Sequence, residues 1–158
     1  MRLLLDTQVA LWWLIGAKRL SKASRRRIAA SACVVSVASI WEVAIKHRLG
    51  KLPVRPERFR DDMARGGATI LSIHDEHAIG SAGLATDHAD PFDRILLATA
   101  LVEGLQLLTA DANLKAVSFL AAEFDIGLSQ VESIFVWWTV RFWVASHDLG
   151  VLRLNHCP

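Results

Sequence analysis

Arg2-Leu3-Leu4-Leu5-Asp6-Thr7-Gln8-Val9-Ala10-Leu11-Trp12-Trp13-Leu14 opens the chain with a short apolar run ending at an acid. Apolar residues then continue at Val9, Ala10, Trp12, Trp13 and Leu14, spacings that suit a mostly buried helix. The stretch reads as strand, turn, helix, and the pattern repeats along the chain. Ser21 is placed to cap a basic helix over Lys22 to Ala30, and the apolar run from Cys33 to Val37 has the length of a buried parallel strand. A helix is expected over Ser39 to Arg48, with Ile40, Val43, Ala44 and His47 on one side. Ser39, Glu42 and Lys46 share the other side at spacings of three and four. Gly50 ends that helix, Pro53 and Pro56 bracket a loop, and Pro56 to Arg65 reads as an exposed helix stopped by Gly66-Gly67. Ala68 to Ile73 is expected as a third strand, His74 to Leu84 as a helix weakened by Gly80 and Gly83, and Thr86 to Asp90 as a loop. Pro91 to Glu103 is a strong helix closed by Gly104, and Leu105 to Thr109 a fourth strand before Asp111. Strands alternating with helices at these lengths predict an α/β fold with a central, mainly parallel sheet flanked by helices, because parallel neighbours need crossover connections.

The composition bounds this reading. With 158 residues, 53% of them hydrophobic and 22% charged, the chain has the size and make-up of one ordinary globular domain. The longest strongly apolar run, Ile134 to Ala145, contains Arg141 and falls short of the roughly 20 residues that span a bilayer, so no membrane span is expected. Asp6 follows only three leucines, unlike a signal peptide, and a cytoplasmic protein is expected. Cys33 and Cys157 give neither a disulfide framework nor a zinc spacing and are read as reduced thiols. The net charge of +2 conceals a division: residues 1–65 hold 14 Lys and Arg against 5 Asp and Glu, and the remainder 4 against 11. Arg25, Arg26, Arg27, Arg48, Lys51, Arg55, Arg58, Arg60 and Arg65 either line a phosphate-attracting surface or are solvated helix faces.

In an open parallel sheet, chemistry gathers in the crevice beyond the carboxyl ends of the strands. Four acids fall near those ends: Asp6 after the first strand, Glu42 in the helix after the second, Asp93 in the first turn of the Pro91 helix, and Asp111 after the fourth strand. Each has a local explanation. Asp6 can cap a helix, Ser39-Ile40-Trp41-Glu42 fits a capping box, Asp90-Pro91-Phe92-Asp93 is a close variant of one, and Asp111 can start a turn. Taken together they converge on one edge, where like charges repel unless a cation intervenes. Carboxylates without neighbouring Cys or paired His favour Mg²⁺ or Mn²⁺ over zinc. Such an ion acidifies water, holds a scissile phosphate and neutralises the leaving oxygen, which makes phosphodiester hydrolysis the natural reaction.

Leu3-Leu4-Leu5-Asp6-Thr7-Gln8-Val9, Ser36-Val37-Ala38-Ser39-Ile40-Trp41-Glu42-Val43-Ala44-Ile45-Lys46, Asp90-Pro91-Phe92-Asp93-Arg94 and Leu107-Leu108-Thr109-Ala110-Asp111 resemble, in the same order, four motifs of the PIN-domain family, and within it the VapC-type toxins. The likeness runs from Met1 to about Leu114. It implies a three-layer PIN-like fold and a metal-dependent endoribonuclease acting as the toxin of a type II toxin–antitoxin module. It places the Mg²⁺ or Mn²⁺ ligands at Asp6, Glu42, Asp93 and Asp111, with Asp90 as a cap. It further implies an RNA substrate, a homodimer and a small cognate antitoxin. Asp6 and Asp93 stand as direct ligands, Glu42 as a ligand or water-orienting base, and Asp111 as a ligand, directly or through water. Thr7 and Thr109 sit beside these acids, and Ser39 and Lys46 share the helical face of Glu42. Lys46 meets either a phosphate or Glu42 itself, and Arg94 either contacts RNA or is solvated.

Other residues are read more plainly. His74, His77 and His88 are expected at the surface or in loops, and Trp12, Trp13 and Trp41 as core or intersubunit contacts with base stacking as the alternative. Gln8 replaces the His common in this group. Residues 1–116 are assigned to the nuclease domain, and 117–158 to a C-terminal extension without family likeness that holds Trp137, Trp138 and Trp143. The competing function is a catalytically inactive module that binds RNA or an antitoxin, its acids serving as caps. A phosphatase or receiver-like domain is weaker, because no second Asp stands near Asp6.

Overall fold

The computed structural model describes residues 2–84 and 90–111. The elements follow in the order β1 (Arg2–Leu5), α1 (Thr7–Leu14), α2 (Lys22–Ala29), β2 (Ala32–Ser36), α3 (Val37–Arg48), α4 (Pro56–Arg65), β3 (Thr69–Leu71), α5 (Asp75–Ala82), α6 (Pro91–Val102) and β4 (Gln106–Leu108). The four strands form one sheet in the order β3-β2-β1-β4. Every pairing is parallel, with Leu4 opposite Val34 on one side and Leu107 on the other. The expected α/β class, parallel sheet and flanking helices are all present.

The leucine run places β1 at the centre because alternate side chains serve opposite faces. Leu3, Leu5 and Val35 join a cluster with Val9, Ala10, Ile28, Val43, Phe59 and Met63. Leu4 and Val34 join Leu96, Leu97, Ala100 and Leu107 in the other cluster. Two cores, one per face, make three layers. α1 and α3 end where the chain turns left-handed, at Gly16 (φ 64°) and Gly50 (φ 69°), the second stop being the one expected from sequence. Among the described residues no helix is long and apolar enough to cross a membrane.

Three expectations need correction. β2 ends at Ser36 and not at Val37, because Ser36 caps α3 by accepting from Ala38 N at 3.1 Å. Val37 opens the helix, where no preceding turn crowds its branched side chain. The capping box of Ser39 and Glu42 therefore does not form, and Ser39 lies buried inside the first turn of α3. His77 is not a surface residue: it is 1% exposed, with Nδ1 accepting from His74 N at 3.1 Å and Nε2 donating to Glu103 at 3.1 Å. An imidazole with both nitrogens bonded can be buried at little cost. The basic residues largely meet partners within the chain. Arg58 and Arg65 pair with Asp62, Arg60 with Asp61 and Arg55 with Glu57. Arg25 donates to Ala17 O and Leu20 O. His88, most of the Thr86–Asp90 loop, Cys157 and the extension assigned to 117–158 lie outside the described residues.

Candidate active site

The chain leaves β1 toward β2 and β3 and returns on the opposite side at β4, so the strand order reverses between β1 and β4. At such a switch point a crevice opens beyond the carboxyl ends of the strands. Asp6 stands there. Its backbone N extends the pairing by donating to Leu108 O at 3.1 Å. Its Oδ1 accepts from Gln8 N at 3.2 Å and caps α1, while its Oδ2 accepts from the buried Thr109 hydroxyl at 2.8 Å. Thr109 also accepts from Asp111 N at 3.0 Å, so one threonine ties the acids of β1 and β4 together.

Asp6 is 7% exposed. Burial pushes its carboxyl above the usual range, against the hydrogen bonds from Thr109 and Gln8 that favour its charge, and the nearby charges of Asp93 and Glu42 push it further up. Asp6 therefore senses the charges of two of the other three acids.

Glu42 reaches the crevice from α3, its side chain 13% exposed and paired with Lys46. Asp93 lies in the first turn of α6, where the helix N-terminus favours an anion. Asp90 caps the same helix, accepting from Phe92 N at 2.8 Å, as expected. Asp6, Glu42, Asp90, Asp93 and Asp111 all line one open cleft of about 490 Å³, together with Thr7 and Gln8. Lys46, expected on the face of Glu42, lines it too, as do Trp12 and Lys51; Leu11 of α1, Ile15 at its C-cap and Leu52 beyond α3 were not anticipated.

The remaining candidates divide. Lys46 lines the cleft, but as the partner of Glu42. Arg94 is not among the cleft's lining residues; it donates to Ser81 O at 2.7 and 3.1 Å and fastens the end of α5 to α6. The hydroxyls of Thr7 and Ser39 are buried without a hydrogen-bond partner among the described residues. Such groups are rare, because each lost bond costs about 1–3 kcal/mol.

Whether a divalent ion suits this site follows from its donors. The titratable groups lining the cleft, apart from its two lysines, are all carboxylates, hard oxygen donors that match Mg²⁺ or Mn²⁺. Burial foremost, and after it the repulsion from Asp93 and Glu42, raises the Asp6 carboxyl, and a cation would offset both. Among the described residues, however, no three His, Cys, Asp or Glu side chains already stand as a ready ligand set, and Glu42 is engaged by Lys46. The donor chemistry fits; the side chains are spread around the cleft.

Comparison with known proteins bears on the fold and family. The model of the PIN domain matches residues 3–120. None of the curated proteins matches the chain. Among solved structures, VapBC2 from Rickettsia felis bound to a DNA fragment from its promoter is similar, with a TM-score of 0.55 and 13% identity over 74% of this chain and 93% of that one. A toxin–antitoxin complex from Klebsiella pneumoniae gives a TM-score of 0.48 and 24% identity over 68% of this chain and 85% of that one.

Proposed function

The chain belongs to the PIN-domain family, and from that premise we propose that it is an Mg²⁺- or Mn²⁺-dependent endoribonuclease of the VapC type, the toxin of a toxin–antitoxin pair. The observation that carries the reading is the gathering of Asp6, Glu42, Asp93 and Asp111 on one cleft at the switch point of a parallel sheet. The partner proposed is a small antitoxin, in keeping with the likeness in fold to VapBC2. A homodimer is proposed as well, supported by an exposed apolar stripe on α3, where Trp41 (58% exposed), Ile45 and Leu49 recur every fourth residue.

When bound, a divalent cation supplies charge neutralisation at the phosphate and acidifies the attacking water. Asp6 and Asp93 would hold it, and the orientation of Asp6 is fixed by Gln8 N and the Thr109 hydroxyl. Asp111, whose backbone N is bonded to the same threonine, would be a further ligand. Glu42 would orient the attacking water, and Lys46 holds the Glu42 side chain in place by pairing with it.

A second reading, a module that binds without cutting, draws on the ion pair between Lys46 and Glu42 and the dispersed carboxylates. The two separate cleanly in a test with the full chain and a mixed RNA pool, with Mn²⁺ or Mg²⁺ and with excess chelator. Cleavage that requires metal is expected to drop by at least about 10²–10³-fold in Asp6→Asn and Asp93→Asn, the loss that follows removal of one preorganised electrostatic group. Equal cutting by wild type and both variants would sink the nuclease assignment at these residues. Unchanged RNA binding in chelator, without cutting in metal, is the signature of the binding module.

A further inference from the structure

The carboxylates occupy one part of the cleft, and its remaining walls have another chemistry. Trp12 is half-buried against the core cluster yet lines the cleft, and Ile15, at the C-cap of α1, is 69% exposed. Lys51 is exposed and has no ionic or hydrogen-bonded side-chain partner among the described residues, unlike Lys46.

Both walls are held firmly. Beyond Gly50 the chain folds back on α3: Lys51 N and Leu52 N both donate to Lys46 O, at 2.9 and 3.2 Å, and His47 Nδ1 donates to Leu52 O at 3.0 Å. At the end of α1, Ala17 N donates to Trp12 O at 2.9 Å, and Arg25 Nη2 donates to Ala17 O at 2.6 Å. Aromatic and aliphatic surface exposed on a pinned framework is suited to a flat apolar ligand, and an exposed ammonium on the same cleft to an anion. The volume of about 490 Å³ lies within the roughly 300–1,000 Å³ of pockets that hold small ligands. A base, its phosphate at the carboxylates and a neighbouring phosphate at a lysine are the parts of a single nucleic-acid strand.

This deepens the nuclease reading and rests on it: we propose that Trp12, Ile15 and Leu52 form a nucleobase subsite, and that Lys51 holds a phosphate next along the strand.

The test uses short fluorescent single-stranded oligoribonucleotides in which one position at a time lacks its base. Wild type, Trp12→Ala, Trp12→Phe, Ile15→Ser and Lys51→Gln are compared for cleavage in Mn²⁺ and, separately, for binding by anisotropy in chelator. Trp12→Ala is expected to lower kcat/KM on the intact strand about 5- to 100-fold, the range of one lost stacking contact, and Trp12→Phe to restore most of it. One abasic position should cost wild type a similar factor and cost Trp12→Ala nothing further. Ile15→Ser repeats this pattern at smaller size, and its exposure keeps folding out of the result. Lys51→Gln should raise KM and flatten the salt dependence by about 0.7 in log–log slope, one phosphate contact on a single strand. Wild-type cutting and binding in both Trp12→Ala and Ile15→Ser would overturn the subsite. So would losses as large on abasic as on intact strands, or a loss confined to binding of a protein partner. If wild type cuts nothing but the binding pattern appears, the subsite stands and the nuclease reading falls.

Discussion

Trp12 lines the cleft that holds the carboxylates, whereas its neighbour Trp13 lines a second cavity, of about 120 Å³, among Leu5, Ile28, Cys33 and Met63. In that second cavity the thiol and the carboxylate both have partners. The Cys33 thiol donates to Ile28 O at 3.4 Å, and burial pushes its pKa up, so it stays uncharged at neutral pH. Asp62, at its edge, is paired with Arg58 and Arg65. The cleft breaks each of these habits: carboxylates of like charge share one crevice, Asp6 is buried with its charge opposed by neighbours, and the Thr7 hydroxyl on its wall is left without a partner among the described residues. Unsatisfied and mutually repelling polar groups gathered in a cleft are the pattern that marks a functional-site candidate.

The sharpest way to separate the two regions is to damage each alone. Met63 is 2% exposed, lines the second cavity and packs in the core cluster of α4. Met63→Ala enlarges a void that already exists and is expected to lower stability by about 2–5 kcal/mol. Urea unfolding measures that loss, and cleavage per folded molecule should match wild type. Asp93→Asn is the reciprocal case, with cleavage lost and the urea midpoint retained. If Met63→Ala also abolished cutting by folded protein, the separation drawn between the cavities would fail.

A smaller effect comes from the buried charge itself. The Asp6 carboxyl is raised above its ordinary value, so the native state takes up a proton more readily than the unfolded chain. Its favourable contribution is complete below the unfolded value of about 3.9 and is lost as pH rises through the higher folded value. Asp6→Asn, which removes the charge, should therefore raise Tm in chelator at pH 7 by about 2–6 °C, the shift produced by roughly one kcal/mol or slightly more. The advantage should shrink below the folded pKa. Mn²⁺ should raise the Tm of wild type and leave that of the variant unmoved. A variant less stable than wild type at pH 7 in chelator would mean that the bonds from Gln8 N and Thr109 outweigh the burial and repulsion.

Most of the fold was legible because it depends on local pattern: the leucine run of β1, the caps at Asp6, Ser21 and Asp90, and the stop at Gly50. The four acids were legible because their placement follows from strand ends in a parallel sheet. What escaped depends on partners distant in sequence or on competition between equals. Ser36 and Ser39, three positions apart, are both of a type that caps helices, and only Ser36 does so, with Ser39 buried inside the first turn. His77 is buried because Glu103, 26 residues on, bonds its ring. Arg94 fails to reach the cleft because the carbonyls ending α5 take its guanidinium. The wall formed by Lys51 and Leu52 exists because both amides fold back onto Lys46 O, a turn that hydrophobic periodicity does not encode.

The smallest effects test whether the unpartnered hydroxyls belong to the cleft's chemistry or to the packing around it. Thr7 begins α1 directly after Asp6, and Ser39 lies in the first turn of α3, three residues before Glu42. Neither Oγ has a bond to lose among the described residues, so Thr7→Val and Ser39→Ala remove an unsatisfied buried group. Stability is expected to stay within about 1 kcal/mol of wild type in chelator, and to rise where the hydroxyl was least satisfied. If these groups orient water or an acid when substrate is bound, cutting in Mn²⁺ should fall by about 10- to 100-fold, the size of effect that outer partners of a metal site carry. A fall in stability with no change in cleavage would assign both hydroxyls to packing, and would move them from the cleft's side of the comparison to that of the Met63 cavity.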